Sequence, residues 1–143
     1  MAFQLPDPAT PFGERVARRL HDDSIIWLTT IDSKGIPQPN PVWFLWDATT
    51  STILVYSKAG AKRHEHLQKN PRISLNFDSS SGGNIIVLTG EAHLSPDEPS
   101  ADQHPIFVAK YQDSITGSFS TAKNFATLYP VSLRIHPATL RGF

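Results

Sequence analysis

Five basic residues and a single acid, Glu65, lie between Lys58 and Arg72. This segment opens where a branched, apolar run, Thr52-Ile53-Leu54-Val55-Tyr56-Ser57, gives way to Lys58-Ala59-Gly60-Ala61-Lys62-Arg63. The pattern predicts a strand that runs into the start of a basic helix. The first N–H groups of a helix have no internal partners and carry partial positive charge, so a phosphate is favoured there. Gly60 lets a backbone come close, and Ser57 offers a hydroxyl at the strand end. Lys58, Lys62 and Arg63 add full charges, and an arginine can hold a phosphate through two hydrogen bonds. The competing reading is a solvated helix face. The spacing matches neither the P-loop nor the GxGxxG turn of dinucleotide folds.

Upstream, Val42-Trp43-Phe44-Leu45-Trp46 alternates along a strand. Trp43 and Leu45 share one face; Val42, Phe44 and Trp46 share the other. Core or dimer packing accounts for at least half of these residues, and one face can serve as an apolar wall for a planar ring. A cationic junction beside such a wall suits a flat ring with a phosphate tail. Other chemistries find little support. His64 and His66 are two apart and face different sides of a helix, so no metal site is expected there. There is no cysteine, which removes disulfides, thiolate ligands and cysteine nucleophiles together. Ser79-Ser80-Ser81-Gly82-Gly83 precedes a strand and reads as a flexible hairpin, and no GxSxG elbow or paired carboxylates occur.

The elements that position these residues read as follows. Residues 1–9 form a loose arm. Thr10-Pro11 starts a helix, with Phe12, Val16 and Leu20 repeating every four residues up to Asp22. Ser24–Ile31 is a strand, Asp32-Ser33-Lys34-Gly35 a hairpin turn, and Ile36–Asp47 the return strand. Prolines 37, 39 and 41 place its first half at an edge or bulge. Further strands follow at Thr52–Ser57, Arg72–Asp78, Asn84–Leu94 and Val131–His136, with a helical or irregular stretch from Pro96 to Tyr129. Gaps of four or five residues between strands are too short for parallel crossovers. The fold class is therefore mainly β with flanking helices, a small barrel of six or more mostly antiparallel strands.

The 143 residues fit one domain, 1–143, large enough to bury a core. Thirteen basic residues balance thirteen acidic ones, which argues against a nucleic-acid partner. Four acids and no lysine or arginine lie between Glu91 and Asp102, so the positive patch at 58–72 is local and points to a small anionic ligand. No apolar run reaches the ~20 residues of a membrane span, and the first residues lack the basic start and apolar core of a signal peptide. A cytoplasmic location without membrane partners is expected.

The ordered set Pro41-Val42-Trp43-Phe44, Tyr56-Ser57, Arg63, His66-Leu67, Asn70-Pro71-Arg72 and Leu75-Asn76-Phe77 resembles the pyridoxamine 5'-phosphate oxidase-like split-barrel (FMN-binding split barrel) superfamily. Gly82-Gly83-Asn84-Ile85-Ile86-Val87, Gly90-Glu91-Ala92, Arg134-Ile135-His136-Pro137 and Arg141-Gly142-Phe143 resemble its actinobacterial branch, which uses the deazaflavin coenzyme F420. The resemblance covers residues 12–143 and implies a split β-barrel homodimer with cofactor sites between subunits. It implies a phosphate tail at Ser57, Lys58, Lys62 and Arg63. The rings lie near Thr29, Thr30, Pro41, Val42, Trp43 and Tyr56, and the partner contributes from Gly83 and Asn84. Arg63 falls where the family usually has Lys. Glu65 falls where it often has Arg, and an acid there repels a polyanionic tail; His66 falls where it often has Asn. The implied activity is hydride transfer from reduced F420 to a small electrophilic substrate, with Tyr56, a Ser or Thr, or water as proton source. An FMN-dependent flavoprotein and a non-catalytic cofactor-binding protein are the alternatives.

Overall fold

The structure is a computed structural model and describes residues 2–143. Its first helix, α1 (Pro11–Asp22), begins as the sequence predicts: the Thr10 hydroxyl accepts from the Gly13 N–H at 3.0 Å. Val16 and Leu20 are completely buried on its inner stripe. Strand β1 (Ile25–Ile31) turns at Asp32-Ser33-Lys34-Gly35 into β2 (Pro37–Trp43), with Ile31 opposite Pro37. The Asp32 carboxylate accepts from the Lys34 and Ile36 N–H groups and from Gln38, and these bonds hold its pKa below the usual carboxylate value. After β3 (Leu45–Asp47) and β4 (Thr52–Ser57) come helix α2 (Lys62–Lys69), β5 (Arg72–Asn76) and β6 (Ile86–Leu94). A short 3₁₀ turn at Ala101–Gln103 leads into α3 (Pro105–Phe119) and α4 (Ala122–Leu128), and β7 (Val131–Gly142) closes the chain.

The seven strands form one antiparallel sheet in the order β2-β1-β5-β6-β7-β4-β3. Strand β2 lies at an edge, as its three prolines require, since it need donate hydrogen bonds only to β1. Its neighbour in sequence, β3, lies at the opposite edge. The sheet therefore curls until its two edges approach, and Phe44 sits where the chain passes from one to the other. This is a split barrel with flanking helices, built from seven strands because the predicted Ile36–Asp47 strand breaks at Phe44.

The final strand runs six residues past the expected His136. The next residue, Pro137, cannot donate to a ladder. The register instead shifts between Thr89 and Gly90: Gly90 pairs with Pro137 and Thr89 with Thr139. The bulge lets the pairing resume beyond the proline. Gly90 is needed there, because a Cβ at that position would lie 2.1 Å from the His136 carbonyl oxygen.

Two apolar clusters share β4, which is buried along its whole length. Ile53 and Val55 point into the barrel with Leu28, Phe44, Leu75 and Leu88. Leu54 and Tyr56 point outward and are covered by Phe107, Tyr111, Ile115 and Phe125 of α3 and α4. Burying such a side chain contributes about 1.5–3 kcal/mol. Arg134 of β7 ties this region to its neighbours through Asp47, Thr52 and Glu98, and its hydrogen bonds to Glu98 hold that carboxylate's pKa below the ordinary value. Among the described residues, no helix is long and apolar enough to cross a membrane.

The break at Phe44 exposes backbone groups that no strand can pair, and α3 supplies their partners. The Phe44 N–H donates to the Tyr111 hydroxyl at 2.8 Å, and that hydroxyl lies 2.8 Å from the carbonyls of both Phe44 and Ser24. Lys110 Nζ donates to the Phe44 carbonyl at 2.9 Å and sits 3.8 Å from the centre of its ring. Burial pushes the Lys110 pKa down to about 8. Tyr111→Phe keeps the ring but strands these groups, and is expected to destabilise the protein by about 1–3 kcal/mol. A urea midpoint unchanged within error would show that the seam does not depend on the hydroxyl. The Lys110 Nζ resonance is expected to titrate near pH 8. Because the unfolded lysine holds its proton to about pH 10.4, the unfolded state binds more protons in that window. This group's contribution to stability therefore rises with pH between the two values. A titration midpoint at the ordinary lysine value would show a fully hydrated ammonium.

Candidate functional site

Strand β4 ends at Ser57 because the next four residues turn outward. The Ala61 N–H donates to the Lys58 carbonyl, and Gly60 takes a φ of +78°. Helix α2 then starts with Ala61 as its cap residue, which offers no side-chain acceptor. The Lys62 and Arg63 N–H groups are thus left for another partner, while the His64 N–H donates to the Ala61 carbonyl at 3.2 Å. Ser57 is fully buried, and its hydroxyl is gripped from two sides: Arg63 Nη1 donates to it at 3.0 Å, and His64 Nε2 lies 2.9 Å away.

A cleft of about 490 Å³ opens beside this junction. Its cationic rim is Lys58 and Arg63; its walls are Pro41, Val42 and Trp43 at the end of β2, Ile25, and Tyr56 of β4. The far side is Ser118, Phe119, Phe125 and Tyr129 from α3 and α4. The volume lies within the ~300–1,000 Å³ range of small-molecule sites. No acidic residue lines the cleft, and among the described residues neither Lys58 nor Arg63 is ion-paired with a carboxylate. Burial lowers the Arg63 pKa, yet a guanidinium starts so high that it stays charged. An unpaired, partly buried cation above an apolar cleft is the donor set a phosphate-tailed ring requires.

The structure brings Pro41, Val42, Trp43, Tyr56, Lys58 and Arg63 together around this one cleft. Ser57 lies behind Arg63. The remaining candidates fall elsewhere. Thr30 is buried and bonds His66 Nδ1 at 3.0 Å, so it faces the barrel interior and α2. Thr29 is on the outer sheet face with the pairs Ile25–Trp43 and Trp27–Pro41, farther along the same strip. Lys62 opens onto a separate small cleft with Ser33, Glu65, His66 and Lys69. Glu65 accordingly faces away from the Arg63 rim, and the repulsion expected from it falls outside the cleft. Gly83 and Asn84 do not line it either; Gly83 pairs with Ser80, and Asn84 accepts from Arg15 of α1 at 3.1 Å.

Two further expectations are refined. Trp43 is stacked on Tyr111 at 4.6 Å with the rings 7° apart, so one of its faces is already covered by protein. The Tyr56 hydroxyl donates to the Pro99 carbonyl at 2.7 Å, and burial pushes its pKa up to about 12. Its proton is committed, which makes Tyr56 a poor acid at neutral pH. The sequence reading missed the wall from α3 and α4. Phe107, Tyr111, Ile115 and Phe119 recur every four residues, the signal of one helical stripe, in a stretch whose prolines and polar residues obscured it. It also missed the His64–Ser57 contact, which no spacing rule across a strand–helix corner reveals.

Comparison with known proteins bears on the family and the fold. The pyridoxamine 5'-phosphate oxidase family model matches residues 12–138. A pyridoxine/pyridoxamine 5'-phosphate oxidase of Edwardsiella ictaluri is 31% identical over 75 residues, 52% of this chain and 34% of that one. One from Citrobacter koseri is 30% identical over 90 residues, 60% of this chain and 41% of that one. The matches thus span well under half the length of these curated relatives. Among solved structures, one described as a pyridoxamine 5'-phosphate oxidase from Listeria innocua has a TM-score of 0.63 at 21% identity, covering 90% of this chain and 94% of its own. One described as an F420 reductase has a TM-score of 0.66 at 16% identity, covering 87% and 94%. HutZ, a heme storage protein from Vibrio cholerae, has a TM-score of 0.60 at 13% identity, covering 93% and 95%. These likenesses concern the fold, which hosts several activities. The match over residues 12–138, on a split barrel with a cation-rimmed cleft, places the chain in the pyridoxamine 5'-phosphate oxidase family.

Proposed function

We propose that this chain is a reductase that uses the deazaflavin coenzyme F420 and acts on a small electrophilic organic substrate. The observation that carries the reading is the unpaired Arg63–Lys58 rim joined to the apolar cleft of about 490 Å³. The choice of F420 is supported by the ordered motifs at 82–87, 90–92, 134–137 and 141–143. FMN is the second reading, supported by the family match and by the same rim, since its phosphate needs the same donors.

When bound, the coenzyme supplies the hydride. The chain's residues hold and orient it. Arg63, Lys58 and the free N–H groups at the start of α2 receive the anionic end. The strip from Trp43 and Pro41 of β2 toward Thr29 of β1 supports the rings. Phe119, Phe125 and Tyr129 exclude water from the same space. Orientation of this kind can lower a barrier by about 7–11 kcal/mol without a dedicated acid. With the Tyr56 proton bonded to Pro99, water or a cleft hydroxyl such as Ser118 is the proton source. The protein acts as a homodimer, in which the loop carrying Gly83 and Asn84 of one copy completes the cleft of the other.

Titration with F420 and FMN in parallel, followed by coenzyme fluorescence, tests the reading. Binding of F420 at micromolar concentration with hydride transfer to an acceptor panel is expected. Tight FMN binding with a yellow protein would favour the second reading, and binding of neither would remove both. Arg63→Glu replaces a charge-assisted bond with repulsion, so affinity is expected to fall at least about tenfold with the fold intact. Unchanged affinity would place the anion elsewhere.

A further inference from the structure

Ser57 Oγ is a buried hydroxyl on which two basic side chains converge, Arg63 at 3.0 Å and His64 at 2.9 Å. Only Arg63 and Lys58 of this cluster line the cleft; His64 approaches the same oxygen from the next position of α2. A serine hydroxyl has one proton and accepts two bonds. With the Arg63 N–H donating, the hydroxyl can give its proton to a neutral His64 ring. A protonated His64 must donate instead, and the Ser57 proton is then free to turn elsewhere. The cluster thus has two hydrogen-bonded arrangements that differ by one proton.

We propose that His64 is a third cation of the anion site, acting from behind Ser57: when a phosphate group arrives at the start of α2, His64 takes up one proton from solvent and adds its charge to those of Arg63 and Lys58. This inference rests on the phosphate-tail reading above. In the ligand-free protein the cluster keeps His64 neutral, because burial and then the neighbouring Arg63 charge push its pKa down. The charged and titratable groups around it are few. Arg63 is on its own helix, Lys58 is in the turn before it, and Tyr129 at the end of α4 bears on Arg63 across the cleft. Among the described residues no carboxylate is paired with His64 or Arg63. A bound phosphate supplies the missing negative charge and reverses the electrostatic balance at the ring. The complex then holds one more proton than its separate parts, so affinity rises as pH falls through the window between the free and bound His64 pKa values.

Calorimetric titration of the full chain with F420 and with FMN tests this, in buffers of different ionisation enthalpy between about pH 6 and pH 8. The wild type is compared with His64→Gln, which retains a hydrogen bond to Ser57 but cannot become charged. For the wild type, net uptake approaching one proton and affinity about tenfold tighter at the acid end are expected, a unit of pKa shift being a factor of ten. His64→Gln is expected to lose that uptake, leaving only what FMN's own phosphate contributes. The Cε1–H resonance of His64 in the wild type should move to its protonated position on saturation. Equal proton uptake by both proteins, or an unmoved resonance, with a cofactor still bound, would overturn the role of His64 and leave the cofactor reading standing. Binding of neither cofactor at any pH would overturn both.

Discussion

The peptide group of Phe44 is the constraint from which the architecture follows. A single extended segment must leave one edge of the sheet and join the other, and at the crossing its N–H and C=O have no strand to pair with. A buried amide without a partner costs about 1–3 kcal/mol per group. Tyr111 and Lys110 meet this need from α3, and in doing so fix where α3 lies against the barrel. Since Tyr111 also carries the ring on which Trp43 stacks, the same residue that seals the seam sets one wall of the cleft.

From that anchor the site acquires its shape. Strand β4 is buried on both faces, so α3 and α4 must lie over its outer side, and their aromatic stripe rises beside the point where β4 ends. Phe107 and Phe125 stack at 5.7 Å, and Phe125 meets Tyr129 at 4.6 Å, which extends the packed cluster to the rim. The cleft is thus the space left between the end of β2 and this aromatic layer. It lies at the strand end, where the chain turns away and leaves the Lys62 and Arg63 N–H groups without a side-chain cap.

Much of this was legible in the residues. Thr10-Pro11 with a four-residue apolar repeat marked α1, Asp32–Gly35 marked the first hairpin, and three alternating prolines marked an edge strand. Each of these signals is local and arises from a single physical rule. What the sequence hid was set by partners far away in the chain. The break at Phe44 depends on Tyr111, 67 residues later, and the continuation of β7 past Pro137 depends on the bulge at Gly90. The site divided in the same way. The junction residues Lys58 and Arg63 are close in sequence and were found from it, but which α2 side chains share the cleft depends on helix rotation. Lys62 and Glu65 turn to one side and Arg63 to the other.

Charge is distributed here by pairing as much as by position. The chain is neutral overall, and several of its acids are already bound in the fold: Asp47 and Glu98 to Arg134, Asp23 to Arg19. These pairs hold strands and helix ends together, and among the described residues no carboxylate is paired with Lys58 or Arg63. Keeping a partly buried guanidinium without a carboxylate partner is unfavourable, because burial disfavours its charged form and lowers the Arg63 pKa. Ser57 offsets some of that penalty as a neutral acceptor, but a hydroxyl cannot neutralise a charge. A ligand anion can, and this is the physical ground on which an anion site is proposed at the corner beneath α2.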